Sequence, residues 1–190
     1  MVTTKDTVVE AVSRIIERRE SDLPGVAEIA REAGVSRPTF YAYFATSDEA
    51  FAQVVAHVRD AVLSIQERAD TSSVAATYRS TLVAMLDLTV EHLGLVTLLA
   101  SQARRDPQIA AMWHDIHDRP VRRHARFIDR LVEQGLAEPA VPSLTIAEAV
   151  DGMTARFAQL IAEDPARRDD LAAELVAAQH RLVGLLPTGD

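Results

Sequence analysis

Apolar residues recur along this chain at three- and four-residue spacings, broken by short polar, glycine or proline punctuation, and that rhythm predicts helices. Asp6 to Arg19 sets Val8, Val9, Val12, Ile15 and Ile16 on one side and Glu10, Arg14, Glu17 and Arg18 on the other. Ser21-Asp22-Leu23-Pro24-Gly25 is a breaker cluster. Ile29, Ala33, Val35, Phe40 and Phe44 supply the next buried face. Thr46-Ser47-Asp48-Glu49 reads as a capping box that opens a long helix to about Ala69, with Phe51, Val54, Val55, Val58, Val62 and Ile65 in phase. Ser72 or Ser73 caps a helix with Tyr78, Leu82, Met85 and Leu86 on one face; Gly94 interrupts it, and Leu95 to Arg104 forms a short apolar helix. Asp106-Pro107 starts a helix ending near Asp118, and Pro120 starts another that Gly135 stops. Thr145-Ile146-Ala147-Glu148 reads as a second capping box, opening a helix to about Glu163. Asp164-Pro165 starts the last, running to about Leu186. No alternating β pattern stands out, so the expected fold is all-α with about nine helices.

Composition narrows this picture. The chain has 190 residues, 48% hydrophobic and 25% charged, enough for a sizeable core in one or two domains. The absence of Cys excludes a disulfide framework and thiol chemistry. Charges every few residues from Met1 to Glu20, and no apolar run of about 20 residues anywhere, predict neither a signal peptide nor a membrane span, hence a cytoplasmic protein. No G-x-S-x-G, phosphate-cradling glycine loop or H-E-x-x-H occurs, so no enzyme activity and no cofactor are expected.

The net charge of −8 weighs against a non-specific nucleic-acid binder, and residues 1–50 alone carry nine Asp or Glu against six Lys or Arg. One stretch departs from this balance. From Ala33 to Ser47 there is no carboxylate. Within it, Gly34 suits the left-handed turn that ends a helix, Ser36 offers an N-cap oxygen, and Pro38 is tolerated in a first turn. The segment from Ile29 to Phe44 therefore reads as helix, tight turn, helix, with Arg37, Thr39, Tyr41 and Tyr43 left for an exposed face that donates hydrogen bonds to phosphates or base edges.

The run Val26-Ala27-Glu28-Ile29-Ala30, then Gly34-Val35-Ser36-Arg37-Pro38-Thr39-Phe40-Tyr41, Tyr43-Phe44 and Asp48-Glu49 resembles the DNA-binding signature of the TetR (tetracycline-repressor-like) family of bacterial transcription regulators. The signature covers about the first quarter of the chain. The resemblance implies a three-helix helix-turn-helix domain over residues 1–46 and a larger ligand-binding and dimerisation domain over residues 47–190. It implies a homodimer on a double-stranded, palindromic DNA operator, most often a repressor that a small-molecule effector releases. Ser36, Arg37, Pro38, Thr39, Tyr41, Ala42, Tyr43 and Ser47 are the expected DNA-binding residues: Thr39, Tyr41 and Tyr43 to phosphates, Arg37 and Ala42 to bases or their methyl groups.

In the second domain, small residues beside large ones on the last two helices suit close helix approach across a dimer, with Ala155, Ala158, Ala162, Leu171, Leu175, Ala178 and Leu182 as interface candidates. Met85, His92, Met112, Trp113, Phe127, Met153 and Phe157 are candidates to line a ligand cavity, although each also fits a plain core. His114 and His117 stand three apart with His124 nearby, a spacing open to a metal; with no Cys, and Asp115 and Asp118 interleaved, surface residues without a metal are expected. The acidic balance and the uncharged Ser47 support an alternative: an all-α small-molecule-binding or protein-interaction module that no longer binds DNA specifically.

Overall fold

The computed structural model describes residues 3–19 and 23–186. Ser21 and Asp22 of the expected breaker cluster lie outside the described residues. Helices follow one another as α1 (Thr4–Arg19), α2 (Val26–Ala33), α3 (Arg37–Tyr41), α4 (Ser47–Glu67), α5 (Val74–Glu91), α6 (Leu93–Gln102), α7 (Pro107–Trp113), α8 (Arg119–Glu133), α9 (Ser143–Glu163) and α10 (Arg168–Val183). A π turn, His114–Asp118, joins α7 to α8 without a break, so the described residues form nine helical runs and no strand.

The chain divides into two compact units. The first comprises Met1–Ala61 and His92–Ile116, the second Val62–Glu91 and His117–Asp190. Residues 3–19 and 23–46 of the expected DNA-binding segment fall within the first unit. The first unit extends well past residue 46, because α6 and α7 join the core of the N-terminal helices. Val8, Val12, Ile15 and Ile16 of α1, Ile29, Phe40 and Phe44, and Phe51, Val54 and Val58 of α4 pack in one cluster with Leu95, Leu98, Leu99 and Ile109. In the second unit α9 is central, packed against α5, α8 and α10. Its core includes Ile146, Val150, Ala158 and Ile161 of α9 and Leu171, Leu175 and Val183 of α10.

Helix starts follow the expected caps at Thr46, Ser73, Asp106 and Asp164. The Thr46 hydroxyl accepts the Glu49 N–H at 3.1 Å, and the Glu49 carboxylate reaches back to the Ala45 N–H at 2.7 Å. Ser73 Oγ accepts from Ala76, and Asp106 from Gln108 and Ile109. At four other places the boundaries differ from those expected. The break after α5 falls at His92, and Gly94 lies inside α6. A Cβ at Gly94 would stand 2.8 Å from Glu17 Cα and from the Ile16 carbonyl, so this glycine serves a close crossing of α1 and α6 rather than a helix end. Pro120 does not begin a new helix. It sits in the first turn of α8 directly after the π turn, whose wider bonding accommodates a residue with no N–H to give. α9 begins at Ser143, because the Ile146 N–H already bonds the Pro142 carbonyl and Thr145 lies within the first turn. α10 ends at Gly184 (φ 62°), after which Leu185 pairs with Ala137 in an isolated antiparallel bridge.

Candidate nucleic-acid interface

The reader is built by short-range rules. Gly34 takes φ 67°, and the Val35 N–H bonds back to the Ala30 carbonyl at 2.9 Å, closing the end of α2. Two residues on, Ser36 Oγ accepts the Thr39 N–H at 3.1 Å and lies 2.7 Å from the Thr39 hydroxyl, opening α3 with Pro38 in its first turn. Phe40 is fully buried and packs on Phe44, with ring centroids 5.7 Å apart. Burying one aromatic at each end of this short segment turns the side chains between them outward.

Tyr41 is 56% exposed and Tyr43 44% exposed, two of the larger apolar side chains left in solvent. Ser36, Arg37, Pro38 and Ala42 are exposed beside them, while Thr39 and Ser47 are half-buried. The structure thus brings the eight expected DNA-contacting residues to one stretch of surface or its margin. The Phe40 ring meets the Tyr41 ring edge-on, with centroids 5.6 Å apart. Lys5 lies 5.8 Å over the Phe44 ring, adding a cation that sequence spacing does not associate with the reader.

The acid of α2 closest in sequence to this surface is engaged elsewhere. Glu32 accepts from Arg18 at 2.7 Å and from Arg14 at 3.2 Å. Arg18 first and Arg14 second hold its carboxyl below the usual range. The two arginines of α1 thereby offset the charge of α2 and pin the two helices together. With no carboxylate from Ala33 to Ser47, the exposed face is uncharged or positive throughout.

The expected ligand-lining residues are not a single set. His92, Met112 and Trp113 belong to the first unit, and Met85, Phe127, Met153 and Phe157 to the second. In the first unit, Met112 lines a cavity of about 270 Å³ with Leu23, Phe51, Ala52 and Ile109, rimmed by Asp48, Glu49 and Asp106. In the second, Phe127 meets the Tyr78 ring at 5.2 Å. Of the interface candidates, Leu171, Leu175 and Ala158 are 2%, 0% and 0% exposed, so they already lie in the unit's own core and have no surface left to bury. Ala162 is exposed, and Ala155, Ala178 and Leu182 are half-buried.

The histidines do more than expected of surface residues. His117 bonds Asp118 through Nδ1 at 2.8 Å and Asp151 through Nε2 at 2.9 Å. Burial opposes its charge, but the two carboxylates, Asp151 foremost, outweigh burial and raise it to about 9. His124 faces inward to Gln179, and burial pushes it down to about 4. Gln179, fully buried on α10, escapes a reading of the sequence by residue type. Its signal is one of phase: it falls in step with Leu171, Ala172, Leu175, Val176 and Val183 on an otherwise apolar face.

Comparison with known proteins agrees with this architecture. Residues 14–54 match the family model of bacterial regulatory proteins, tetR family. The HTH-type transcriptional regulator YfiR of Bacillus subtilis (strain 168) is 27% identical over 151 residues, covering 74% of this chain and 71% of that protein. Among solved structures, a bacterial regulatory protein in the tetR family from Rhodococcus RHA1 superposes with a TM-score of 0.79 at 17% identity, covering 98% of this chain and 100% of that one. A TetR-like transcriptional regulator from Rhodococcus sp. RHA1 gives a TM-score of 0.75 at 20% identity, covering 95% and 96%. These likenesses in structure speak for the fold, and the matched helix-turn-helix speaks for the family. Residues 14–54 carry the helix-turn-helix of the tetR family of bacterial regulatory proteins, on a fold shared with solved members of that family.

Proposed function

We propose that the protein is a homodimeric repressor that binds a palindromic DNA operator and is released from it by a small molecule. The observation that carries the DNA-binding part is the exposed, carboxylate-free face of Arg37, Tyr41, Ala42 and Tyr43, held by the buried Phe40 and Phe44. Thr39, Tyr41 and Tyr43 donate to phosphates, with Ser36, Pro38 and Ser47 at the margin, and Arg37 and Ala42 read base edges or methyl groups. Residues 1–46 serve as the DNA-binding segment and residues 47–190 as the regulatory one. Such a regulator works in the cytoplasm, and among the described residues no single helix is long and apolar enough to cross a membrane.

Pairing of two copies follows from the needs of recognition: one short reader sees few base pairs, and two readers address half-sites about one helical turn apart. The outer faces of α9 and α10 support it. Gly152, Ala162, Ala173 and Ala177 are exposed there, small enough for helices of a second copy to approach closely. An effector acts only through its differential affinity for the operator-bound and free dimers.

The test is fluorescence anisotropy of the protein with DNA from upstream of its own gene, against scrambled competitor, across a salt series. Saturable, competitor-resistant binding that Arg37→Ala and Tyr41→Phe both weaken supports the reading. With a ligand in hand, ligand and operator must weaken each other by the same factor. Equal ligand affinity for free and operator-bound protein refutes release by that ligand.

A further inference from the structure

The second unit buries hydrogen-bonding capacity that its own side chains do not use. Gln179 on α10 is fully buried; one end of its amide meets His124 Nε2 at 2.7 Å, and the other end has no partner. Turning the amide over exchanges its nitrogen and oxygen and leaves the second end equally unpartnered. Tyr78 on α5 is 3% exposed, and its hydroxyl has no partner either. Nε2 of His180, beside Gln179 on α10, is a third such atom. The Tyr78 ring links them, with centroids 5.8 Å from His124, 6.2 Å from His180 and 5.2 Å from Phe127. The great majority of buried polar groups are paired, so three unpaired ones, on Tyr78 itself, on its ring neighbour His180 and on Gln179 behind His124, call for a function.

We propose that Tyr78, Gln179 and His180 anchor the small-molecule site of the second unit, and that its ligand is an uncharged ring compound bearing both a hydrogen-bond donor and an acceptor, of the phenol type. The proposal rests on the regulator reading for the ligand's role as effector, but not for its binding. α8 lies along α9, and its His124 and Phe127 reach Gln179 of α10 and Tyr78 of α5 through their side chains. The rings of Tyr78 and Phe127 favour a flat apolar body, and the polar atoms fix its orientation.

The neutrality of the ligand follows from the groups facing it. Burial keeps His124 uncharged and holds the Tyr78 hydroxyl protonated; burial and then Arg79 lower His180. The nearby carboxylate that acts on His124 is Asp151, and it is engaged by His117. A charged ligand entering here would lose its hydration, and the cation that acts on His180, Arg79, is exposed and screened by water.

The probe is 4-fluorophenol, titrated into the full chain and followed by fluorine NMR, with 4-fluorobenzoate as a charged compound of similar size. Saturable binding of the phenol, weakened about tenfold by Tyr78→Phe and by Gln179→Leu, is expected, with the benzoate weaker by a similar factor. Equal binding of the two probes, or phenol binding that neither substitution changes, overturns the proposal. Thermal midpoints control for folding. Tyr78→Phe removes a hydroxyl that bonds nothing in the protein, so its midpoint should hold or rise; a clear fall together with no phenol binding identifies a hydrated structural core and also overturns the proposal. Operator titration separates the two readings. Operator release by a compound whose binding ignores Tyr78→Phe overturns this site and leaves the regulator standing. Phenol binding that depends on Tyr78 and Gln179, in a protein that binds no operator, supports the site and removes the regulator.

Discussion

The carboxylate of Glu17, at the C-terminal end of α1, accepts the backbone N–H of Gly94 at 2.6 Å and that of Leu95 at 3.3 Å. A side chain from one helix thus caps the start of another, and the absence of a side chain at Gly94 lets the two backbones come that close. Gly94→Ala should destabilise the protein by about 2–4 kcal/mol, since the new Cβ meets backbone rather than a flexible side-chain end. Glu17→Ala should cost about 1–2 kcal/mol through the lost cap. Urea unfolding of both variants checks the order; a Gly94→Ala protein as stable as the parent would mean that α1 and α6 do not cross this closely.

The two faces of the reader should separate stability from recognition. Phe40→Ala removes a fully buried ring and should cost about 3–5 kcal/mol. Tyr41→Ala and Tyr43→Ala, at 56% and 44% exposure, should leave the unfolding free energy within about 0.5 kcal/mol of the parent. Each should weaken operator binding about tenfold. Parallel denaturation and anisotropy measurements decide; operator affinity untouched by both tyrosine changes would remove them from the interface.

The reader is legible in the sequence because its determinants are local. Gly34, Ser36, Pro38 and Thr46 act within five residues of themselves, so their consequences can be read by counting. The join of Glu17 to Gly94 spans 77 residues and that of His124 to Gln179 spans 55, and no periodicity carries such information. Gly94 looks like a break for this reason: a glycine needed for a helix crossing and one needed for a helix end are alike in one dimension. The expected ligand residues rest on type, as Met and aromatic side chains, and type alone does not say on which unit a residue falls.

His117 makes stability depend on alkaline pH. Its folded value, about 9, lies above the ordinary 6.5, so the protonated form is the one stabilised by Asp151 and Asp118. That contribution is fully present below about 6.5 and is lost as pH rises through about 9. Allowing for the partial exposure of the carboxylates, the loss should be on the order of 2 kcal/mol. Unfolding free energies at a series of pH values, compared with His117→Asn, measure it; the difference between the two proteins should shrink across this window. A constant difference would mean that His117 is neutral in the folded chain.

His124 works in the opposite direction. Its folded value, about 4, lies below the ordinary 6.5, so the buried neutral ring contributes stability above about 6.5 that is lost as pH falls through about 4. His124→Gln should flatten the acid side of the stability profile while leaving the alkaline side to His117. Denaturation from pH 7 to pH 4 is the measurement, and an unchanged acid limb would place the His124 ring in water.

The π turn at His114–Asp118 has a consequence for tolerance to deletion. Buried Ile116 and Val121 stand five residues apart, one more than the usual spacing, so the turn absorbs one residue of helical phase. Removing a single residue from the turn would tighten it to ordinary α geometry and shift the local helical phase by about 100°. The extra residue is a phase correction within one continuous helical run.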